Sequence, residues 1–97
     1  MAKVQNIMCV CPAGLGSSLI LSMKVEAVLK EMGMEGISIR HGSLGEVSRG
    51  CADLLVVSSD IYEQCKEYGD CVGVKNMVKK DVIKAALEEY FNTHPQD

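Results

Sequence analysis

Residues 6–21 read NIMCVCPAGLGSSLIL: two cysteines close an apolar run, a glycine-containing loop follows, and two serines open a stretch with helical spacing. In that order they are the parts of a nucleophilic sulfur beside an anion cradle. The backbone N–H groups of Ala13, Gly14, Leu15, Gly16, Ser17 and Ser18 can curl around an anion, and the helix that follows aims its positive end at the same point. Gly14 and Gly16 allow angles closed to other residues and a close approach to a ligand. The hydroxyls of Ser17 and Ser18 can add donors or cap the helix. A helix N-terminus favours the thiolate of a cysteine at its edge. Cys11, at the mouth of the loop, is therefore the candidate nucleophile, and Cys9, inside the apolar run, reads as core packing.

The common phosphate loops do not fit. A Walker loop ends Gly-Lys-Ser/Thr, whereas Gly16 is followed directly by Ser17. A dinucleotide fingerprint needs a third glycine where Leu19 stands, and an acidic residue where the second strand ends in Arg40 and His41. A cysteine phosphatase closes its loop with an arginine, but the residue six beyond Cys11 is Ser17. Without a guanidinium to neutralise the transition state, and without an evident acid, the loop is poorly equipped to hydrolyse a phosphate. It is better equipped to hold a phosphoryl group on sulfur and pass it on.

The remaining elements must position that loop. Val4–Val10 reads as a buried strand and residues 17–32 as an amphipathic helix. Leu21, Val25, Val28, Leu29 and Met32 face inward, Ser22, Lys24, Glu26, Lys30 and Glu31 face outward, and Gly33 ends the helix in a left-handed conformation. A second strand is expected at Ile37–Arg40, followed by a polar loop. Asp53–Val57 reads as a third, fully buried strand. Asp60 opens a helix with Glu63 in capping-box spacing, closed by Gly69. Cys71–Val74 reads as a fourth strand and residues 79–91 as a last helix, leaving 91–97 as a frayed tail. Strands that are continuous apolar runs belong in a parallel sheet covered on both faces. The expectation is a small, open, doubly wound α/β domain spanning residues 1–97, with four parallel strands in the order 2-1-3-4 and helices on both faces. Its functional crevice lies beyond the carboxyl ends of the strands. His41, Ser58 and Asn76 should stand at that end, as possible support around Cys11.

Composition narrows the function further. The net charge of -3, with no basic cluster, argues against nucleic acid and anionic membrane as partners. Residues 4–23 are uncharged, but Pro12 and two glycines break the run, so neither a membrane span nor a cleaved signal is expected. The five cysteines, Cys9, Cys11, Cys51, Cys65 and Cys71, are odd in number and form no CxxC pair. They read as free thiols of a reducing cytoplasm, with no zinc site or other metal, and no organic cofactor is implied.

The segment CPAGLGSS, Cys11–Ser18, in this strand-loop-helix setting resembles the active loop of the IIB proteins of the sugar phosphotransferase system, or PTS. It is most similar to the ascorbate and galactitol branches. The stretches SSLILSMKVEAVLKEMG, ADLLVVSSD and VGVKNMVKKDVI extend the likeness over nearly the whole chain. One departure is Pro12, which stands where that pattern has glycine and has no N–H to donate. The resemblance implies a phosphotransferase: Cys11 would accept a phosphoryl group from a histidine of a IIA partner and give it to a sugar held by a membrane IIC partner. The ascorbate branch is favoured over the galactitol branch. The rival readings are a small cysteine-dependent phosphatase and a regulatory phospho-sensor module.

Overall fold

The computed structural model describes residues 5–11, 15–34, 36–48, 52–76 and 79–93. Among the described residues four strands and three helices follow in the order β1 (Asn6–Cys11), α1 (Leu15–Glu31), β2 (Ser38–Ser43), β3 (Leu54–Ser58), α2 (Tyr62–Cys65), β4 (Cys71–Val74) and α3 (Lys80–Thr93), with a 3-10 turn, Leu44–Glu46, between β2 and β3. All paired strands run parallel, in the order β2-β1-β3-β4. The α/β class and the strand order are those expected from the sequence.

The central strands explain themselves. After Asn6 every residue of β1 is buried, and so is every residue of β3. Side chains alternate across a strand, so such runs need cover on both faces. On one face Ile7, Cys9, Leu54 and Val56 pack with Leu21, Val25 and Val28 of α1 and Ile83, Leu87 and Phe91 of α3. On the other, Met8, Val10, Leu55 and Val57 pack with Val47, Ile61 and Cys65. Thus α1 and α3 share one face and the shorter α2 covers the other. Glu31 of α1 pairs with Lys80 of α3, and Lys84 approaches the same carboxylate at 3.6 Å.

The end of α1 is as expected. Met34 N–H donates to Leu29 C=O at 2.9 Å and Gly33 N–H to Lys30 C=O at 3.1 Å, the paired bonds of a Schellman motif. Gly33 has φ +76°, and a Cβ there would meet nothing within 4 Å. The cost of a side chain is therefore backbone strain alone. Gly33→Ala is expected to lower unfolding stability by about 1–2 kcal/mol, read from the denaturation midpoint with an unchanged m-value.

Four local expectations are corrected. First, β2 continues to Ser43 rather than ending at Arg40. Gly42, read as a loop residue, is buried opposite Val10, where a Cβ would lie 2.6 Å from the Met8 methyl. Second, the stretch after β3 is one α-helical turn between two 3-10 turns, Ser59–Ile61 and Lys66–Tyr68. Its cap is Ser58, whose Oγ accepts from Asp60 N–H at 3.4 Å; no side chain caps α2 itself. Gly69 closes this stretch at φ 142°, ψ -161°, a region open essentially to glycine alone. Third, Ser22 is buried, because its hydroxyl donates to Leu19 C=O at 2.7 Å instead of facing water. Fourth, α3 runs to Thr93, and Phe91 is buried because it follows Ile83 and Leu87 at four-residue spacing into the same core. The tail expected from residue 91 therefore does not begin there; 94–97 lie outside the described residues.

At the amino end of the sheet, Asp53 acts as a clamp rather than as the first strand residue. Its Oδ2 accepts from Gln5 N–H at 2.8 Å and Asn6 N–H at 3.1 Å, and its own N–H donates to Asn6 C=O. These bonds lock the starts of β1 and β3 together, and with them the register that carries the other end of β1.

Candidate functional site

The strand order reverses direction at β1: β2 lies on one side of it and β3 on the other. In an open α/β sheet the crevice at such a switch point, outside the carboxyl ends of the strands, is where ligands bind. Cys11 is the last residue of β1 and Ser58 the last of β3. Val10 pairs with Val57, so Cys11 and Ser58 are the next residues along the two strands. On the other side Cys11 is in register with Ser43, the end of β2. The sequence-predicted nucleophile thus stands at the point the topology favours.

Cys11 has no exposed surface. Its Sγ meets a reactant only if whatever covers it moves. Cys9, two residues earlier, is equally buried on the same sheet face. Burial pushes the Cys9 thiol from 9.0 up to about 12, so at neutral pH it is a protonated, inert part of the core. Cys65 is also buried, and half-buried Cys71 is pushed up to about 12, chiefly by burial and then by Cys65 nearby. Cys51 lies outside the described residues.

The expected phosphate loop is only partly in view. Pro12, Ala13 and Gly14 lie outside the described residues. Helix α1 begins at Leu15, two residues earlier than the spacing suggested. Leu15, Gly16, Ser17 and Ser18 therefore belong to the first turn, and neither serine occupies the capping position ahead of the helix. The backbone remains suited to an anion, since the leading N–H groups of a helix have no carbonyl to bond within it. No acidic residue in the first turn offsets the positive end of the helix dipole.

The three supporting candidates separate. Ser58 is buried at the switch point beside the Cys11 position, with its Oγ bonded to Asp60 N–H. His41 is not a loop residue: it sits within β2, in register with Cys9, exposed and two residues short of the strand end. Asn76 caps α3, its Oδ1 accepting from Lys79 N–H at 3.1 Å. The structure brings Ser58 to the Cys11 edge and gives the other two local roles in strand and cap.

One surface feature is decided only by the fold. Leu19, Ile20 and Met23 are exposed on the first turns of α1. At 100° per residue they fall within one arc of the helix, roughly opposite the Leu21–Val25–Val28 face. The available signal was the uncharged run of residues 4–23, which continues two turns into the helix. A cavity of about 450 Å³ lies elsewhere, beside β4 between Tyr62 and Tyr90, and none of the predicted site residues lines it. Among the described residues, no helix is long and apolar enough to cross a membrane.

The chain is similar over most of its length to known proteins. Residues 6–89 match the family model described as PTS system, Lactose/Cellobiose specific IIB subunit. The chain is 31% identical over 97 residues to the ascorbate-specific PTS system EIIB component of Escherichia coli O6:H1, with 95% of each chain covered. It is 28% identical over 91 residues to the protein of the same description from Mycoplasma pneumoniae, covering 90% of this chain and 95% of that one. Among solved structures, the lactose-specific IIB component domain of Streptococcus pneumoniae shares the fold. Its TM-score is 0.60 at 15% identity, with 93% of this chain and 97% of that chain covered.

Proposed function

The chain belongs to the PTS IIB family, and from that premise we propose that it is a phosphocysteine carrier, with Cys11 as the residue that receives and releases the phosphoryl group. PTS IIB components are phosphotransferases of sugar uptake that work with IIA and IIC partners. The observation that supports Cys11 is its place: the last residue of β1, at the switch point, four residues ahead of the start of α1.

In the first step the Cys11 thiolate attacks the phosphorus of a phosphohistidine on IIA. The S–P bond forms as the P–N bond breaks, and the imidazole leaves with the electron pair. The leading N–H groups of α1 hold the non-bridging oxygens, so that little reorganisation is needed as charge shifts. In the second step a hydroxyl of a sugar bound to IIC attacks the same phosphorus. The S–P bond breaks, the thiolate returns, and the hydroxyl proton is released. Ser17 stands where the loop of a cysteine phosphatase carries its arginine, and Cys11 is buried and not open to bulk water. Both features suit a carrier better than a phosphatase.

For the sugar we favour the ascorbate branch, supported by relatives of that description at 28–31% identity. Free thiols at Cys9, Cys11, Cys65 and Cys71 suit a reducing compartment, and we place the chain on the cytoplasmic side, docked only transiently to IIC. Residues 1–97 act as one phosphocarrier domain with no metal or cofactor of its own.

The test is mass spectrometry of the intact chain after incubation with a phosphorylated IIA protein of the ascorbate type. A gain of one phosphoryl group, mapped to Cys11, is expected. No gain, a gain on His41, or steady release of phosphate from an aryl phosphate by the chain alone would overturn the assignment.

A further inference from the structure

Ser58 ends β3 as Cys11 ends β1. Val10 pairs with Val57, so one step further along the two strands Cys11 has Ser58 beside it. The two residues also share a face. Cys9 and Val56 lie in the core under α1 and α3, whereas Val10 and Val57 lie in the core on the α2 side. Side chains alternate along a strand, so Cys11 and Ser58 both return to the α1 side. Neighbouring strands are about 4.8 Å apart, which brings two such side chains within reach of one group held between them. Ser58 is a hydroxyl in a strand that is otherwise aliphatic, and it is only 7% exposed. Its Oγ accepts from Asp60 N–H at 3.4 Å, longer than an ordinary N–H···O bond, so capping alone offsets little of the cost of burying a hydroxyl. That bond engages a lone pair of the oxygen and not its hydrogen.

The chemistry next to Cys11 leaves a use for such a donor. The residue that follows Cys11 is Pro12, which has no N–H. A phosphoryl group on the sulfur carries three oxygens that are strong acceptors, and the loop has one backbone donor fewer to offer them. From this placement we propose that Ser58 is a catalytic residue of the transfer, its hydroxyl donating to a non-bridging oxygen of the phosphoryl group on Cys11 in place of the N–H that Pro12 lacks. The inference rests on the phosphocarrier reading of Cys11. The hydroxyl keeps its proton throughout, and the P–N and S–P bonds change as in the two steps above. A donor buried at the end of a central strand needs little reorganisation as charge shifts on the phosphoryl oxygens. Because the bond is made to the moving group and not to IIA, its loss slows the step without weakening the encounter.

The experiment follows phosphorylation of Cys11 by a phosphorylated ascorbate-type IIA in wild type, Ser58→Ala, Ser58→Thr, Ser43→Ala, Pro12→Gly and the double variant Pro12→Gly/Ser58→Ala. The thermal midpoint of each is measured alongside, and kcat is taken per folded molecule. Ser58→Ala is expected to lower kcat about ten- to a hundredfold, the size of one hydrogen bond to a charged group, with KM kept. Ser58→Thr, which retains the hydroxyl, should stay near wild type. With an N–H restored at position 12, the alanine should cost far less, so the double variant should transfer faster than Ser58→Ala. In a 31P titration the phosphoryl group of phosphorylated Ser58→Ala should lose its last proton at a higher pH than in wild type, because a donor favours the dianion. A residue that only capped the following turn would move the midpoint and leave this titration in place. If Ser58→Ala does not fold, Ser58→Thr and Ser58→Val, similar in shape and different in the hydroxyl, make the same comparison. A folded chain without the hydroxyl that keeps the wild-type kcat and titration overturns the proposal. So does a loss that falls instead on Ser43→Ala, the β2 residue in register with Cys11. So does a Ser58→Ala loss that Pro12→Gly leaves at full size. If the wild-type chain itself takes no phosphate from IIA, the carrier reading has failed, and that outcome is distinct from a failure of Ser58 alone.

Discussion

Cys11→Ser is expected to reduce phosphoryl acceptance from phospho-IIA to background while leaving the fold in place. The reacting species in the proposed first step is a thiolate. A serine hydroxyl at the same position is protonated at neutral pH and a far weaker nucleophile than a thiolate. The substitution is close to isosteric and sits at the end of a strand already fixed by β2 and β3. The far ends of β1 and β3 are held by Asp53. The secondary structure should therefore be kept, at a stability cost of the same order as for any buried hydroxyl, and transfer is compared under conditions where the variant is folded, so that its loss reports on chemistry and not on unfolding. The paired control is Cys9→Ser. Cys9 is two residues away on the same face, and burial keeps its thiol protonated. Its replacement should cost stability, about 1–3 kcal/mol for burying a hydroxyl, yet leave transfer at the wild-type level once the protein is folded. Labelling that survives in Cys11→Ser, or disappears in folded Cys9→Ser, would show that the wrong sulfur has been chosen.

What the sequence revealed and what it concealed follow from the range of the forces involved. Three of the four strands are legible because Ile7–Val10, Leu54–Val57 and Cys71–Val74 are short apolar runs that no helix period explains. Gly33 and Gly69 were legible as stops because the chain needs φ > 0 at both, which glycine supplies. The Cys11 position followed from those elements, since the end of the first strand in such a sheet is a topological consequence. Errors arose where a tertiary neighbour decided. Gly42 and Ser43 read as a loop, yet pairing with Val10 and Cys11 extends β2 through them. His41 was moved into the sheet by the same pairing. Asp60 and Glu63 have capping-box spacing, but Ser58 reaches Asp60 N–H first, and a single helical turn follows. Met23 reads from the sequence as core filler or a partner-facing surface, and the fold leaves it exposed; Leu19 and Ile20 are exposed beside it, which an uncharged run alone does not decide.

Raising the pH above 9 is expected to destabilise the folded chain through Cys9, and Cys9→Ala should remove that part of the loss. The sign follows from where the proton is held. In the unfolded chain the thiol ionises near 9.0, while in the folded chain burial delays ionisation to about 12. Below pH 9 both states hold the proton, and Cys9 introduces no pH dependence. Between 9 and 12 the unfolded state has lost its proton and the folded state has not, so ionisation pulls the equilibrium toward unfolding. The penalty grows by about 1.4 kcal/mol per pH unit and approaches about 4 kcal/mol at the upper end, of the same order as the total stability of a small domain. Cys71 and Tyr90 shift in the same direction. Burial is the main cause for both, and the Tyr90 hydroxyl also donates to Asp70 at 2.6 Å. Both groups are present in wild type and variant, so their contributions cancel in the difference. The measurement is urea unfolding of wild type and Cys9→Ala at pH 7, 9, 10 and 11. A cavity left by alanine offsets the two curves by a constant, whereas the thiol changes their spacing with pH. If the stability difference between the two proteins were flat from pH 9 to 11, the Cys9 sulfur would not be held as a neutral thiol. Cys9 would then no longer count as an inert part of the core.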